Sequence, residues 1–535
     1  MTLKGMDDGA GKSLSASRAS AILSDWRLTP ATIMARLDSS WIPAPWLQYL
    51  SLRIAQTVAK GNCGLLISAP PRHGKSMLST IATPLWILEN FPQKSVVVAT
   101  YGEELSTDFT RQIRDLIQQN QNELRVRLRQ DARRVTNILT TKGGGLKAVG
   151  LQGTITGRGA DVLVIDDYIK NPKEAMSPTY LEDLWDWWRT VARTRLEPGA
   201  VVIILATRWV ANDLHGRIMR HQKETGKTFF DYVQLPALAG ADDPIGREEG
   251  DVLFPERYDT ASILDIKSEL GSRWFNAMFQ QQPLDDESRV LDPAWFQQIS
   301  VAEFDRRYNA MLADPESGKL SWMRSWDLAS TKNAGDYTSG GLSLYNPATE
   351  EFYIRGIARG QWSSHTVEKK FADLSKAEAT NFQRHGISYK VGMEQEPGSS
   401  GAYTINHFRQ ILRDNEIQAR LYEQRATTSK LLNAQPLLAA AEAGKVFVVA
   451  DREETGQLEQ WARDMYTEME MFPESDNDDQ VDCLSLGYKL QTGKKFTKPT
   501  FGRNIVRSEP KLIMPQSEIA TRRIGVTFGR RLRRS

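Results

Sequence analysis

The chain has 535 residues, 40% hydrophobic and 25% charged, a globular composition long enough for two or three domains. Its apolar runs fall short of the ~20 residues of a membrane span, and the N-terminus lacks a signal peptide's apolar stretch. Cys63 and Cys483 are the only cysteines, which excludes a disulfide framework or cysteine-rich zinc site and fits an intracellular setting.

The net charge of +2 conceals a basic end: residues 493–535 hold twelve Lys/Arg against Glu509 and Glu518. That tail reads either as an arm for polyanions or as a solvated terminus. Residues 1–35 read as a flexible leader, small and polar over 1–24. Residues 40–60, SWIPAPWLQYLSLRIAQTVAK, predict a helix packed ahead of the first core strand. GLLIS then leads into Gly74–Lys75–Ser76 and a helix through about Asn90. SVVVAT (95–100), a helix over roughly 103–120, VLVID (162–166) and VVIILAT (201–207) follow. Short apolar strands separated by helices predict a parallel sheet covered on both faces, an α/β fold.

The pattern fades near residue 285, and LDDESRVLDPAWF (284–296) reads as a linker or domain edge. A second block opens at Ser321. It predicts a strand over 325–329, a hairpin over 339–358 turning at Asn346–Pro347, and a helix over 365–384. A strand ending at Glu394, helices near 401–414 and 430–443, and a last helix over 478–490 complete it. The blocks divide the chain into leader 1–35, a phosphate-loop domain 36–285, linker 286–320, a second domain 321–492 and the tail 493–535.

Ala69, Pro70, Pro71, Arg72, His73, Gly74, Lys75 and Ser76 match the phosphate-loop pattern, with alanine for its first glycine. Such a loop turns backbone N–H groups toward phosphate oxygens at a helix N-terminus. Lys75 is placed for the β- and γ-phosphates of ATP and Ser76 for Mg²⁺. Residues 6–13 fit the same pattern, but no apolar strand precedes them and two aspartates there would repel phosphate. In VLVIDD, Asp166 is expected to hold Mg²⁺ and Asp167 to activate water, with Glu174 as the alternative base. Arg158 sits where an arginine approaches a neighbouring subunit's γ-phosphate, or is a surface residue. Thr207 ends the next strand, near the place of a γ-phosphate sensor. Trp185, Trp187 and Trp188 read as core packing before any stacking platform.

Downstream, Asp327 lies in an apolar strand, Glu394 ends another, and Asp478 and Asp479 enter a late helix. Oxygen donors without histidine or cysteine suit Mg²⁺ or Mn²⁺, and two such ions cleave phosphodiesters. Asp336, Glu396 and Asp482 are competitors. An acid on the first strand, a hairpin, an acid on a later strand and a last acid on a terminal helix match the ribonuclease H-like arrangement.

APPRHGKS, TGRGADVLVIDD, ATRWVANDL, FQQQP (279–283), WDLAS, GDYTSGG, MEQEPGSSG and FPESDNDDQVD together resemble the large terminase subunit of tailed double-stranded DNA bacteriophages. The similarity covers about residues 40–490. It implies a RecA-like ATPase half and a ribonuclease H-like nuclease half. It implies ATP and Mg²⁺ at Lys75, Ser76, Asp166 and Asp167, a trans-acting Arg158, and nuclease metals at Asp327, Glu394 and Asp478 or Asp479. Asp167 departs from the family's glutamate and leaves the base open. The implied partners are double-stranded DNA, a portal protein, a small terminase subunit and the procapsid, with a ring of copies on the portal vertex and no membrane. The implied place is the host cytoplasm, transiently on the procapsid and not in the mature virion. A helicase–nuclease of recombination or repair, and a DNA-binding scaffold with decayed sites, are the rival readings.

Overall fold

The computed structural model describes residues 25–134, 137–151, 159–284, 290–314, 319–328, 337–384, 386–396, 398–425, 430–472 and 478–493. Helices α1 (Pro30–Leu37) and α2 (Pro45–Lys60) precede β1 (Cys63–Ser68). A π-helical turn, Met77–Ala82, runs into α3 (Thr83–Asn90), then β2 (Ser95–Thr100) and α4 (Glu103–Gln119). Next come β3 (Leu128–Arg134), β4 (Asn137–Thr140), β5 (Gly145–Gly150), β6 (Ala160–Asp166), α5 (Pro172–Ala175) and α6 (Pro178–Trp187). β7 (Leu196–Ala206), α7 (Leu214–Thr225), β8 (Phe230–Gln234) and α8 (Thr260–Met278) close the first half.

The first sheet runs β3-β4-β5-β2-β6-β7-β1-β8. β5 through β8 are mutually parallel, and every residue of β1 is buried, as a strand covered on both faces requires. β7 lies between the phosphate-loop strand β1 and the acidic strand β6, the RecA-like order. β3 and β4 extend the edge antiparallel, a feature with no apolar run to announce it. Thr29 caps α1 in a reciprocal box with Thr32, Pro30 opens it, and Pro30, Ala31, Ile33 and Met34 are buried. Residues 30–35 therefore belong to the first core and not to a leader.

The second half contains β9 (Gln297–Ile299), α9 (Val301–Ala313), β10 (Ser321–Asp327), β11 (Thr338–Asn346) and β12 (Glu351–Gly360). It continues with α10 (Ser364–Gln383), β13 (Ser388–Gln395), α11 (Ser399–Asp414), β14 (Arg420–Arg425) and α12 (Lys430–Glu442). β15 (Val446–Val449), α13 (Gln460–Met471) and α14 (Asp479–Thr492) end it. The sheet order is β14-β13-β10-β11-β12-β15-β9. β10, β11 and β12 are antiparallel while β10, β13 and β14 are parallel, which is the ribonuclease H-like topology. One face is covered by α12, α13 and α14, the other by α9, α10 and α11.

The expected linker 286–320 is largely built into this second half. β9 pairs with β15, Phe296 and Phe304 are buried in its two cores, and Val301 N donates to Asp451. A strand reading Gln-Gln-Ile offers no hydrophobic alternation, so its pairing is set by the tertiary context.

The halves meet where α8 packs on α12. α8 breaks at Gly271 (φ 71°, ψ 161°), a conformation essentially reserved for glycine. Across the break, Gln435 Nε2 donates to Leu270 O (2.9 Å) and Ser272 N donates to Glu442 Oε2 (2.8 Å). The backbone groups freed by the kink are thus satisfied from the other half. No described helix is long and apolar enough to cross a membrane.

Candidate functional site

β1 delivers the chain into the phosphate loop, where Arg72 (φ 62°) and Gly74 (φ 84°) take left-handed backbone. Lys75 is buried, and its Nζ donates to Asp167 Oδ1 (2.6 Å) and Thr207 Oγ1 (2.5 Å). Thr207 N also donates to Asp167 Oδ1 (3.3 Å), and Thr207 Oγ1 to Ala69 O (3.2 Å). Lysine, acid and threonine from three adjacent strand ends therefore form one bonded group. Asp166 Oδ2 accepts from Thr80 Oγ1 (2.7 Å), while its Oδ1 is buried without a partner. Burial, then the Asp167 carboxylate, raises the Asp166 pKa to about 6, against the pull of Lys75, Thr80 and Ser76. A buried carboxylate with one unsatisfied oxygen beside a serine hydroxyl fits a hard cation.

The other expected residues fall into place around this group. Pro71 O accepts from His73 Nδ1 (2.8 Å), and the His73 ring lies beneath the loop, 4.9 Å from the Tyr258 ring. Burial lowers the His73 pKa to about 4. Arg72 O accepts from Arg257 Nη1 (2.8 Å). Glu174 lies in the first turn of α5: its N donates to the capping Asn171 Oδ1 (3.0 Å), and its carboxylate accepts from Lys170 N (2.8 Å). Trp187 and Trp188 are buried, and Trp185 sits half-buried against His221. Arg158 and Asp336 lie outside the described residues.

Two contributors escaped the sequence reading. Thr80 follows Ser76 by four residues, a spacing that puts both on one helical face and was there to be read. Gln281, in FQQQP, accepts from Arg208 N (3.0 Å), while Arg208 Nε is bonded to Asp213 (2.6 Å) in the buried turn after Thr207. No local pattern signals that long-range bond.

At the second sheet, the parallel register Trp326↔Met393 sets Asp327 beside Glu394 at adjacent strand ends. α14 brings its acids onto them because glycines let it lie close. A Cβ on Gly487 would stand 2.6 Å from Ser325 Oγ, and one on Gly341 2.9 Å from Leu484. The start of α14 is fixed by buried Glu468, which accepts from Gln480 N (2.8 Å) and Val481 N (3.0 Å). Burial, then Asp482, Asp479 and Glu394, drive the Asp327 pKa well above the usual carboxylate range. Burial followed by Asp478 lifts Asp482 to about 7, and burial raises Glu394 and Asp479.

Asp482, a competitor on sequence grounds, acts on Asp327 more strongly than any other charged neighbour. Asp479 Oδ2 is buried without a partner, whereas Asp478 Oδ1 accepts from Lys430 Nζ (2.5 Å). Among the described residues, no three His, Cys, Asp or Glu side chains lie close enough to grip one ion as they stand. Gripping a cation requires these carboxylates to turn inward. The all-oxygen donor set and the unpartnered Asp479 oxygen suit Mg²⁺ or Mn²⁺.

Among curated proteins nothing matches the chain. A large terminase from a thermophilic bacteriophage is 9% identical, covering 81% of this chain and 94% of that one at a TM-score of 0.40. The HK97 bacteriophage large terminase is 12% identical, covering 83% and 93% at 0.33. The human cytomegalovirus terminase nuclease domain, Mn soaked, is 10% identical, covering 36% and 95% at 0.25. These scores are too low to bear on function. Residues 66–298 match the family model for the terminase large subunit, T4likevirus-type, N-terminal. That matched segment holds every strand of the first sheet after the phosphate loop.

Proposed function

We propose that the chain is a viral genome-packaging motor subunit. It hydrolyses ATP to translocate double-stranded DNA into a procapsid and cleaves concatemeric DNA with a metal-dependent endonuclease. The observation that carries this reading is the Lys75–Asp167–Thr207 group beside the unsatisfied Asp166 oxygen, in the segment that matches the terminase family. The acids gathered at the second sheet support the nuclease part.

In the first half, the loop's backbone N–H groups and the following helix start favour the phosphates of ATP. A γ-phosphate competes with Asp167 for the Lys75 ammonium. Lys75 then moves to phosphate and Asp167 is released to orient and deprotonate water. Thr207, bonded to both partners, registers that exchange and passes it to Arg208 and Gln281. Ser76 and Asp166 would hold Mg²⁺, which offsets phosphate charge. In the second half, Asp327, Glu394, Asp478 at the cap of α14 and Asp479 and Asp482 within it are the candidates for Mg²⁺ or Mn²⁺, which would supply activated water and a counter-charge for the leaving oxygen. The two sheets act as ATPase and nuclease domains over residues 30–284 and 290–493. The partners are DNA held through phosphates, a portal protein, a small terminase subunit and further copies in a ring, in the host cytoplasm at the procapsid.

Plasmid cleavage with Mg²⁺ or Mn²⁺, with and without ATP, tests the reading on the full chain. Lys75→Ala loses at least ~100-fold of the ATP hydrolysis rate and keeps nicking; Asp327→Asn does the reverse. Loss of both activities in either variant, with an unchanged circular dichroism spectrum, overturns the two-site reading. Strand separation without stimulation of ATPase by a portal would place the chain with helicase–nucleases instead.

A further inference from the structure

Lys430 is the first residue of α12, so its ammonium sits in the first turn of a helix, at the positive end of the macrodipole. A lysine there is unfavourable unless acids face it. They do: Nζ lies 2.5 Å from Oδ1 of Asp478, which caps α14, and 3.9 Å from Oδ2 of Asp482 in its first turn. Asp327 and Glu394 also act on it, so one ammonium addresses acids from two strand ends and a helix. The other cations nearby are differently engaged. Lys489 Nζ donates to Asn433 Oδ1 (2.8 Å), and the Arg359 guanidinium lies 3.8 Å over the Tyr337 ring, 3.7 Å from Glu468.

We propose that Lys430 is a positioning residue that holds Asp478 by direct competition with the divalent cation of the proposed nuclease site, an inference that rests on that reading. Asp478 Oδ1 is bonded to either the ammonium or a cation, and one excludes the other by contact and by like charge. A cation that wins Asp478 displaces Lys430, whose side chain is 61% exposed and free to swing toward solvent and a DNA phosphate. The lysine thereby sets a threshold for metal entry and raises it in the absence of substrate.

Mn²⁺ titration of the full-length protein by calorimetry tests this, with ATP hydrolysis as the check on folding. Losing a charge-assisted bond to Asp478 should tighten Mn²⁺ binding roughly tenfold in Lys430→Met, while Lys430→Arg stays within about twofold of wild type. Half-maximal plasmid nicking should shift to lower Mn²⁺ in Lys430→Met by a similar factor. Unchanged or weaker Mn²⁺ binding in Lys430→Met, beside normal binding by the wild type, overturns the competition. A wild type that binds no more Mn²⁺ than Asp327→Asn overturns the nuclease reading itself, and the inference with it.

Discussion

Lys75 divides its ammonium between Asp167 and Thr207, so the phosphate-loop lysine and the expected base are bonded to each other. On the proposed reading, nucleotide is what separates them. His73, two positions earlier, has a different part to play. Its ring is buried against Tyr258 and Phe254 and is held neutral, with a pKa near 4 against an ordinary 6.5. The unfolded chain takes up a proton below about pH 6.5 that the folded protein refuses until about pH 4. Stability therefore falls across that window, by roughly 3 kcal/mol from this residue, and is fully present above it. Urea unfolding of His73→Phe should show that much less loss between pH 7 and 4 than wild type, and parallel pH profiles would remove His73 from the account.

At the scale of elements, α8 is bent by one glycine whose freed backbone groups are met from α12. An added Cβ at Gly271 would stand 3.2 Å from both Gln435 Nε2 and Glu442 Oε2, on backbone that other residues avoid. Gly271→Ala should cost about 1–3 kcal/mol in thermal or denaturant unfolding; a neutral substitution would mean the bend is not held. The elements most legible in the sequence were those with continuous apolar runs: β1, β2, β6 and the later part of β7 around the phosphate loop. The hairpin β11–β12 was equally plain from its turn residues. What stayed hidden was made by long-range contact. β9 and α9 looked like a linker because charges and a proline surround a Gln-Gln-Ile strand whose partner, β15, lies some 150 residues on. The acids at 327, 394 and 478–479 were readable as types at strand and helix ends. Lys430 was not, since nothing local distinguishes it from any surface lysine.

For the whole molecule, charge is concentrated where the described fold stops: the basic tail, residues 494–535, lies outside the described residues. DNA binding by the full chain should weaken steeply with salt, and deletion of residues 495–535 should lower affinity mainly at low salt. The slope of log affinity against log salt then falls by roughly 0.9 for each phosphate that the tail neutralises, read by fluorescence anisotropy. An unchanged slope would leave the tail as a solvated terminus. Between the two sheets, α12 is fastened near one end to the broken helix of the first half and presents Lys430 to Asp478 at the other. On the proposed reading it would work as a rocker arm. Tilting its anchored end would draw the ammonium away from, or press it against, the acids of the second sheet. A subunit under load would then hold its blade sheathed by the posture of its own engine.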